Sequence, residues 1–170
     1  MNQPLENQID STDIRIIESL MEDGRVAYST LAEQIGSSNT LVHQRVRKLK
    51  ELGILTKPVY LISPEHIGYD TCAFVLIIVR EANQINEVIE ALKRIPEVVS
   101  CVSIMGRYDL MARLYAVNNR HLQDLVHDKL QAIPQIESTN TMVAFEVSFE
   151  RQANIPDRDV VEKYRSYGKV

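Results

Sequence analysis

The chain has 170 residues, 45 % of them hydrophobic, with 19 Lys and Arg against 23 Asp and Glu and a formal net charge of -4. That length and apolar content suffice for one large or two small cores and exclude a wholly disordered chain. The acidic balance excludes an indiscriminate nucleic-acid coat but not a basic surface on one helix. No apolar run reaches the roughly 20 residues of a membrane span. The opening MNQPLENQIDSTD has neither the basic start nor the apolar stretch of a signal peptide, so a cytoplasmic protein without a membrane partner is expected. Cys72 and Cys101 each lie in apolar, strand-like sequence and are expected to be buried, reduced thiols; no zinc-ligand spacing is present.

The first third reads as three short helices. Asp10 or Ser11 can cap the first, in which Ile14, Ile17 and Met21 recur at helical spacing before Asp23-Gly24 ends it. Leu31 and Ile35, four apart, mark a second helix closed by Gly36, which suits the left-handed conformation after a helix end. Ser38 is a good cap for a third, whose Val42, Val46 and Leu49 fall on one inward face until Gly53 stops the run. ILTKPVYLI then reads as extended, with Pro58 limiting it to an edge strand or a hinge.

Two helices joined by a glycine turn, the second with a capped start and a polar outer face, meet the requirements of a helix-turn-helix; the extended segment after them can serve as the wing. Thr40, His43, Gln44 and Arg47 lie opposite Val42 and Val46. Gln44 can pair bidentately with adenine and Arg47 can fork onto guanine. Thr40, or the free amides from Ser37 through Ser38 to Asn39, can hold a phosphate. Arg45, Arg47, Lys48 and Lys50 make the stretch locally basic inside an acidic chain. The bland alternative is a solvated helix whose charges only confer solubility.

From Thr71 onward the pattern becomes strand, helix, strand, and then repeats. CAFVLIIV is followed by Ile85, Val88, Ile89, Leu92 and Ile95 on one helical face and then by VVSCVSIM; LMARLYAV is followed by Leu122, Leu125, Val126, Leu130 and Ile133 and then by TMVAFEVSF. A shift of 38 residues superimposes Val88 on Val126, Leu92 on Leu130, Ile95 on Ile133, Pro96 on Pro134 and Ser100 on Ser138. This is the pattern of a ferredoxin-like βαββαβ unit with GRYD, residues 106–109, at the joint between its halves. Helices in such a unit cover one sheet face only. Residues 72–79 are nevertheless apolar on both sides, and Val143, Phe145, Val147 and Phe149 supply another apolar row. A second copy packed on the uncovered face, a homodimer, is therefore expected; a central strand covered by residues 59–69 or by the tail is the alternative. Residues 151–170 are polar, with one short helix possible from Asp157 to Tyr167.

IDSTDIRIIESLMEDGRVAYSTLAEQIGSSNTLVHQRVRKLKELGIL, followed by SPEHIGYDTCAFVLIIV and MGRYDLMARL, resembles the Lrp/AsnC family of leucine-responsive and asparagine-type transcriptional regulators from about Ile9 to Glu150. Its most specific parts are DGR at 23–25, LAEQIG at 31–36, the R-V-x-x-L-x-x-x-G-I pattern from Arg45 to Ile54, and G-x-Y-D at 106–109. The resemblance implies an α+β protein with an N-terminal winged helix-turn-helix and a C-terminal βαββαβ effector and assembly domain. The expected divisions are a DNA-binding domain over residues 1–55, a hinge strand and linker over 56–68, the ligand-binding and oligomerisation domain over 69–150, and a tail over 151–170. It further implies dimers that assemble into larger species, commonly octamers, and bind an amino acid between subunits.

Carried over, the recognition helix is Asn39 to Leu52, with Ser38, Asn39, Thr40, His43, Gln44, Arg47 and Lys48 as the residues expected on double-stranded DNA. The effector is expected beside Gly106, Arg107, Tyr108 and Asp109, with Thr141 at the start of the last strand. The glycine turn can offer amides to a carboxylate, and Asp109 can accept hydrogen bonds from an α-ammonium group. Arg107 stands where the family often carries an acidic residue, Lys57 near a usual glycine, and Ser37 where leucine usually precedes the helix cap. The function expected is a DNA-binding regulator that responds to a small effector; no metal or cofactor is expected. One alternative is an effector-binding companion that modulates other regulators without strong DNA binding of its own. An enzyme is disfavoured, because the sequence shows no nucleophile with a neighbouring base, no phosphate loop, and four scattered histidines of which His121 and His127 fall on opposite sides of a helix.

Overall fold

The computed structural model describes residues 9–157 and residue 160. The chain divides after Leu61 and again after Arg151 into two compact units, one holding residues 9–61 and the described part of the tail, the other Ile62–Arg151. The expected helix over 157–167 lies outside the described residues except at Asp157 and Val160.

The first unit is built of α1 (Ser11–Glu22), α2 (Tyr28–Ile35) and α3 (Asn39–Glu51) around Ile16, Ile17, Leu31, Ala32, Val42, Val46 and Leu49. Each helix end follows from its local residues. Asp10 caps α1 in a reciprocal box: its carboxylate accepts from the Asp13 N–H at 2.9 Å while the Asp13 carboxylate accepts from the Asp10 N–H at 3.1 Å. Gly36 closes α2 at φ +68°, and the Ser37 N–H reaches back to the Ala32 carbonyl at 2.8 Å. The Ser38 hydroxyl accepts from the Leu41 N–H at 3.2 Å and starts α3.

The inward face of α1 shares Ile17 with the one its apolar spacing suggests but is rotated toward Asp13 and Ile16. Ile16 and Ile17 are buried together with Asp13, whereas Ile14 is half-buried and Met21 is exposed. Asp13 lies on the inner face because α3 supplies its counter-charges: Arg45 Nη1 stands 3.1 Å and Lys48 Nζ 3.6 Å from its Oδ2. Arg45 Nη1 also reaches Asp10 at 2.6 Å. An apolar periodicity cannot register a paired carboxylate as a core residue.

The strand expected over ILTKPVYLI forms no ladder among the described residues. Ile54 and Leu55 pack against the helical core, and the residues after them have no regular secondary structure. Pro58 has no N–H to pair, and this unit offers no other described strand edge. Arg25 instead sets its guanidinium over the Tyr60 ring at 4.7 Å. The expected wing is thus an unladdered segment.

The second unit is a four-stranded antiparallel sheet in the order β2-β3-β1-β4, made of β1 (Thr71–Val79), β2 (Val98–Ser103), β3 (Leu110–Ala116) and β4 (Ile136–Val143). α4 (Ile85–Leu92) follows β1, and α5 (Asn119–Asp124), prolonged by a π-helical stretch Leu125–Leu130, follows β3. This is the expected βαββαβ order, and β2 and β4 begin 38 residues apart at Val98 and Ile136. Ala73, Val75, Ile77 and Val79 of β1 and Leu110, Ala112, Leu114 and Ala116 of β3 pack with Val88, Leu92, Leu122, Leu125 and Leu130 into one core on the helix-covered face. Cys72 is buried and Cys101 partly so, both as free thiols whose burial raises their pKa.

The last strand lies earlier than TMVAFEVSF suggests. It spans Ile136–Val143, so Thr141 stands near its end, and Phe145, Val147 and Phe149 are exposed outside any ladder. The cause is the partner strand: Val143 pairs with Ala73, the Ala144 N–H bonds the Cys72 carbonyl at 2.9 Å, and β1 begins one residue before Cys72, leaving nothing beyond to pair with.

The Asp10 carboxyl is held below its ordinary value, chiefly by the Asp13 N–H it accepts; burial opposes this and Arg45 adds to it. A depressed carboxyl pKa contributes stability above the unfolded-state value that is lost as pH falls through the folded-state value. Asp10→Ala is expected to lower stability near neutrality by about 1 kcal/mol, the usual loss for an N-cap. In urea denaturation across the acid range, its deficit relative to the parent should shrink below the normal aspartate pKa.

Candidate nucleic-acid interface and ligand turn

The outer face of α3 is the polar stripe its sequence describes. Thr40, His43, Gln44 and Arg47 are exposed, while Val42, Val46 and Leu49 on the opposite side are buried. Thr40, His43, Gln44 and Arg47 line one open cleft of about 370 Å³ together with Lys50 and with Tyr28 from the first turn of α2. The Tyr28 and His43 rings meet edge to face, with centroids 4.7 Å apart and planes at 76°. Tyr28 was not foreseeable from the α3 stripe, since it reaches the cleft only by the way two helices cross. Lys50 was visible in the basic run.

The cations of α3 divide by direction. Arg45 and Lys48 turn toward Asp13 and Asp10, so Lys48, expected among the outward residues, is half-buried beside α1. Arg47 stays exposed and makes only a loose contact with Glu51 at 3.6 Å, of the i,i+4 surface type that contributes little. The Ser38 hydroxyl is engaged in capping, and exposed Asn39 opens the helix.

In the second unit the GRYD turn joins β2 to β3. Gly106 has φ +134°, a conformation that L side chains avoid, which is why glycine stands there. Arg107 is exposed, with its guanidinium 5.6 Å from the Tyr108 ring, and the Tyr108 hydroxyl accepts from Asn140 Nδ2 at 3.1 Å. Asp109 is built into the sheet: Oδ2 accepts from the Val79 N–H at 2.8 Å, where the β1–β4 register slips, and its own N–H bonds the Ile77 carbonyl at 3.0 Å. Half of its carboxylate is therefore occupied internally.

Thr141 does not join Tyr108. It pairs with core residue Val75 on the helix-covered face and lines a groove of about 440 Å³ with Leu122, Gln123, Val126, His127 and Gln131. Asn140, which holds Tyr108, pairs with Leu76 on the other face. Gln131, which lines this groove, also donates through Nε2 to Thr139 Oγ1 at 3.0 Å.

A glycine-turned helix pair with a capped, polar-faced third helix, on one chain with a separate α+β unit, defines a two-domain regulator of the helix-turn-helix class. Comparison with known proteins narrows this. The family model for the AsnC-type helix-turn-helix domain matches residues 9–50, and that for the Lrp/AsnC ligand binding domain matches residues 72–153. The chain is 32 % identical to the HTH-type transcriptional regulator FL11 of Pyrococcus horikoshii over 84 % of its length and 93 % of that protein. It is 33 % identical to the regulatory protein AsnC of Escherichia coli, over 81 % of this chain and 91 % of that one. The solved structure of E. coli AsnC superposes with a TM-score of 0.81, covering 86 % of this chain and 99 % of that one. A feast or famine regulatory protein from M. tuberculosis, solved in complex with L-methionine, is 28 % identical with a TM-score of 0.80 over 86 % and 99 %. The chain belongs to the Lrp/AsnC family of DNA-binding transcriptional regulators.

Removing the Asp109 carboxylate leaves the Val79 N–H without its acceptor. Asp109→Ala is expected to destabilise the protein by about 1–3 kcal/mol, the range for an unmet buried donor. Asp109→Asn, which keeps an acceptor oxygen, should recover most of that loss in urea denaturation.

Proposed function

We propose that the chain regulates transcription as a homodimer in which each α3 enters the major groove of double-stranded DNA, and that an amino acid bound between subunits alters DNA affinity or assembly. The observation that carries the DNA reading is the single exposed face formed by Thr40, His43, Gln44 and Arg47 on a capped helix that turns Arg45 and Lys48 toward Asp13 and leaves Arg47 and Lys50 outward. Gln44 and Arg47 are the base readers, and Thr40 with the amides at Ser38 and Asn39 holds phosphate. Lys48 contributes general positive potential rather than a base contact.

The dimer reading rests on the uncovered sheet face. Phe74, Leu76, Ile78 and Met111 lie there only half-buried, and Val102 and Met142 are each 46 % exposed. An apolar face of that extent calls for a second copy. Higher assembly, up to an octamer, extends the same reading. The effector reading is supported by the L-methionine complex of the M. tuberculosis relative and assigns Gly106, Arg107, Tyr108, Asp109 and Thr141. Because Tyr108 and Thr141 serve opposite faces of one sheet, a site that uses both takes them from different subunits. The role assigned is regulatory and not enzymatic, on DNA in the cytoplasm. No helix among the described residues is long and apolar enough to cross a membrane.

Binding to duplexes selected from a random library tests the DNA reading. Arg47→Ala is expected to weaken specific binding by about 1–3 kcal/mol and to relax one base position. Equal binding by Arg47→Ala and the parent at the same salt would remove α3 as the reader. For the effector, a thermal-shift series over the L-amino acids should show at least one stabilising ligand, worth roughly 2.7 kcal/mol at a hundred times its dissociation constant. Absence of any shift across the series counts against the amino-acid reading.

A further inference from the structure

We infer that Tyr28, which lies outside the recognition helix, is a positioning residue for base specificity: it holds the His43 ring in one orientation on the reading face. The inference rests on the reading of α3 proposed above and adds His43 as a base contact with Tyr28 as its support.

His43 sits on the exposed stripe one helical turn from Thr40 and one from Arg47, beside Gln44. An imidazole on a solvated helix surface is free to change rotamer, and fixing it on binding costs free energy. Here its freedom is curtailed before DNA arrives. The Tyr28 ring meets it edge to face at 4.7 Å and 76°. Tyr28 is itself half-buried and packed against the core of the helical unit. The support therefore runs from the core through the phenol ring to the imidazole. Both rings line the cleft that Gln44, Arg47 and Lys50 also line, so the orientation imposed on His43 is one that shares the space a base edge would enter. A neutral imidazole presents one N–H donor and one acceptor. Its N–H oriented toward the major groove suits the N7 acceptor that purines expose there.

The function of the contact is selectivity, not bulk affinity, because neither ring adds a fixed charge against phosphate. This separates it from a merely structural role. An edge-to-face pair corresponds to roughly a two- to tenfold change in an equilibrium.

The full-length chain is used first to select preferred duplexes from a random-sequence library. The parent, Tyr28→Phe, Tyr28→Leu, His43→Ala and Tyr28→Leu/His43→Ala are then compared on that duplex and on its single-base-pair variants. Tyr28→Leu is expected to lose roughly two- to tenfold of discrimination at one or two adjacent base pairs, the same ones affected by His43→Ala. Its binding to random duplex and its salt dependence should stay those of the parent. Tyr28→Phe should match the parent, and the double variant should be no worse than His43→Ala. Thermal melting, together with the retained binding to random duplex, reports whether Tyr28→Leu is folded; if it is not, the rescue by Tyr28→Phe and the effect of His43→Ala on an exposed position decide. Unchanged discrimination in His43→Ala overturns the proposal, as does an equal further loss from Tyr28→Leu in the His43→Ala background. Loss in Tyr28→Phe also overturns it, by assigning the effect to the hydroxyl. Failure of the parent to select any sequence is a different result, which removes the α3 reading itself.

Discussion

The buried carboxylate of Asp13 is the interaction on which the helical unit depends. A charge with no exposed surface is tolerated only when paired, and removing one partner of such a group is far more destabilising than the pair is stabilising. Its partners, Arg45 and Lys48, both come from α3, three residues apart and hence on one flank of that helix. This sets the rotation of α3 about its own axis. Val42, Val46 and Leu49 then face the core, while Thr40, His43, Gln44 and Arg47 face outward. The same carboxylate completes the cap of α1, so helix start and helix orientation share one group.

A comparable economy governs the second unit. Its sheet is covered on one side, and its fourth strand ends where β1 runs out of residues to pair. Where the β1–β4 register slips between Ile78 and Val79, the freed Val79 N–H is met by Asp109. The turn that carries Arg107 and Tyr108 is thereby tied to the sheet at its final residue, and Gly106 provides the one backbone conformation the reversal needs. A rigid turn with an exposed cation and a ring held by Asn140 is a suitable rim for a small charged ligand.

In both units an aspartate that reads as a surface or site carboxylate is partly occupied internally, and the groups available to partners are its neighbours. For α3 this concentrates outward positive charge on Arg47 and Lys50. For the turn it leaves the Arg107 guanidinium and the Tyr108 ring as the outward chemistry.

Much of the architecture was legible without coordinates. Caps such as Asp10 and Ser38, glycine stops at Gly36 and Gly53, and the 38-residue repeat act through neighbours in the chain, where spacing is the physical variable. The outward stripe of α3 was legible for the same reason, since four residues at 3.6-residue spacing fall on one side wherever the helix docks. What only the tertiary structure decided depends on distant partners: Asp13 enters a core because α3 brings cations to it, Lys48 turns inward for that same reason, and β4 ends at Val143 because β1 begins at Thr71. Tyr28 meets His43, and Thr141 parts from Tyr108, through helix crossing and strand pairing, which no periodicity along one segment encodes.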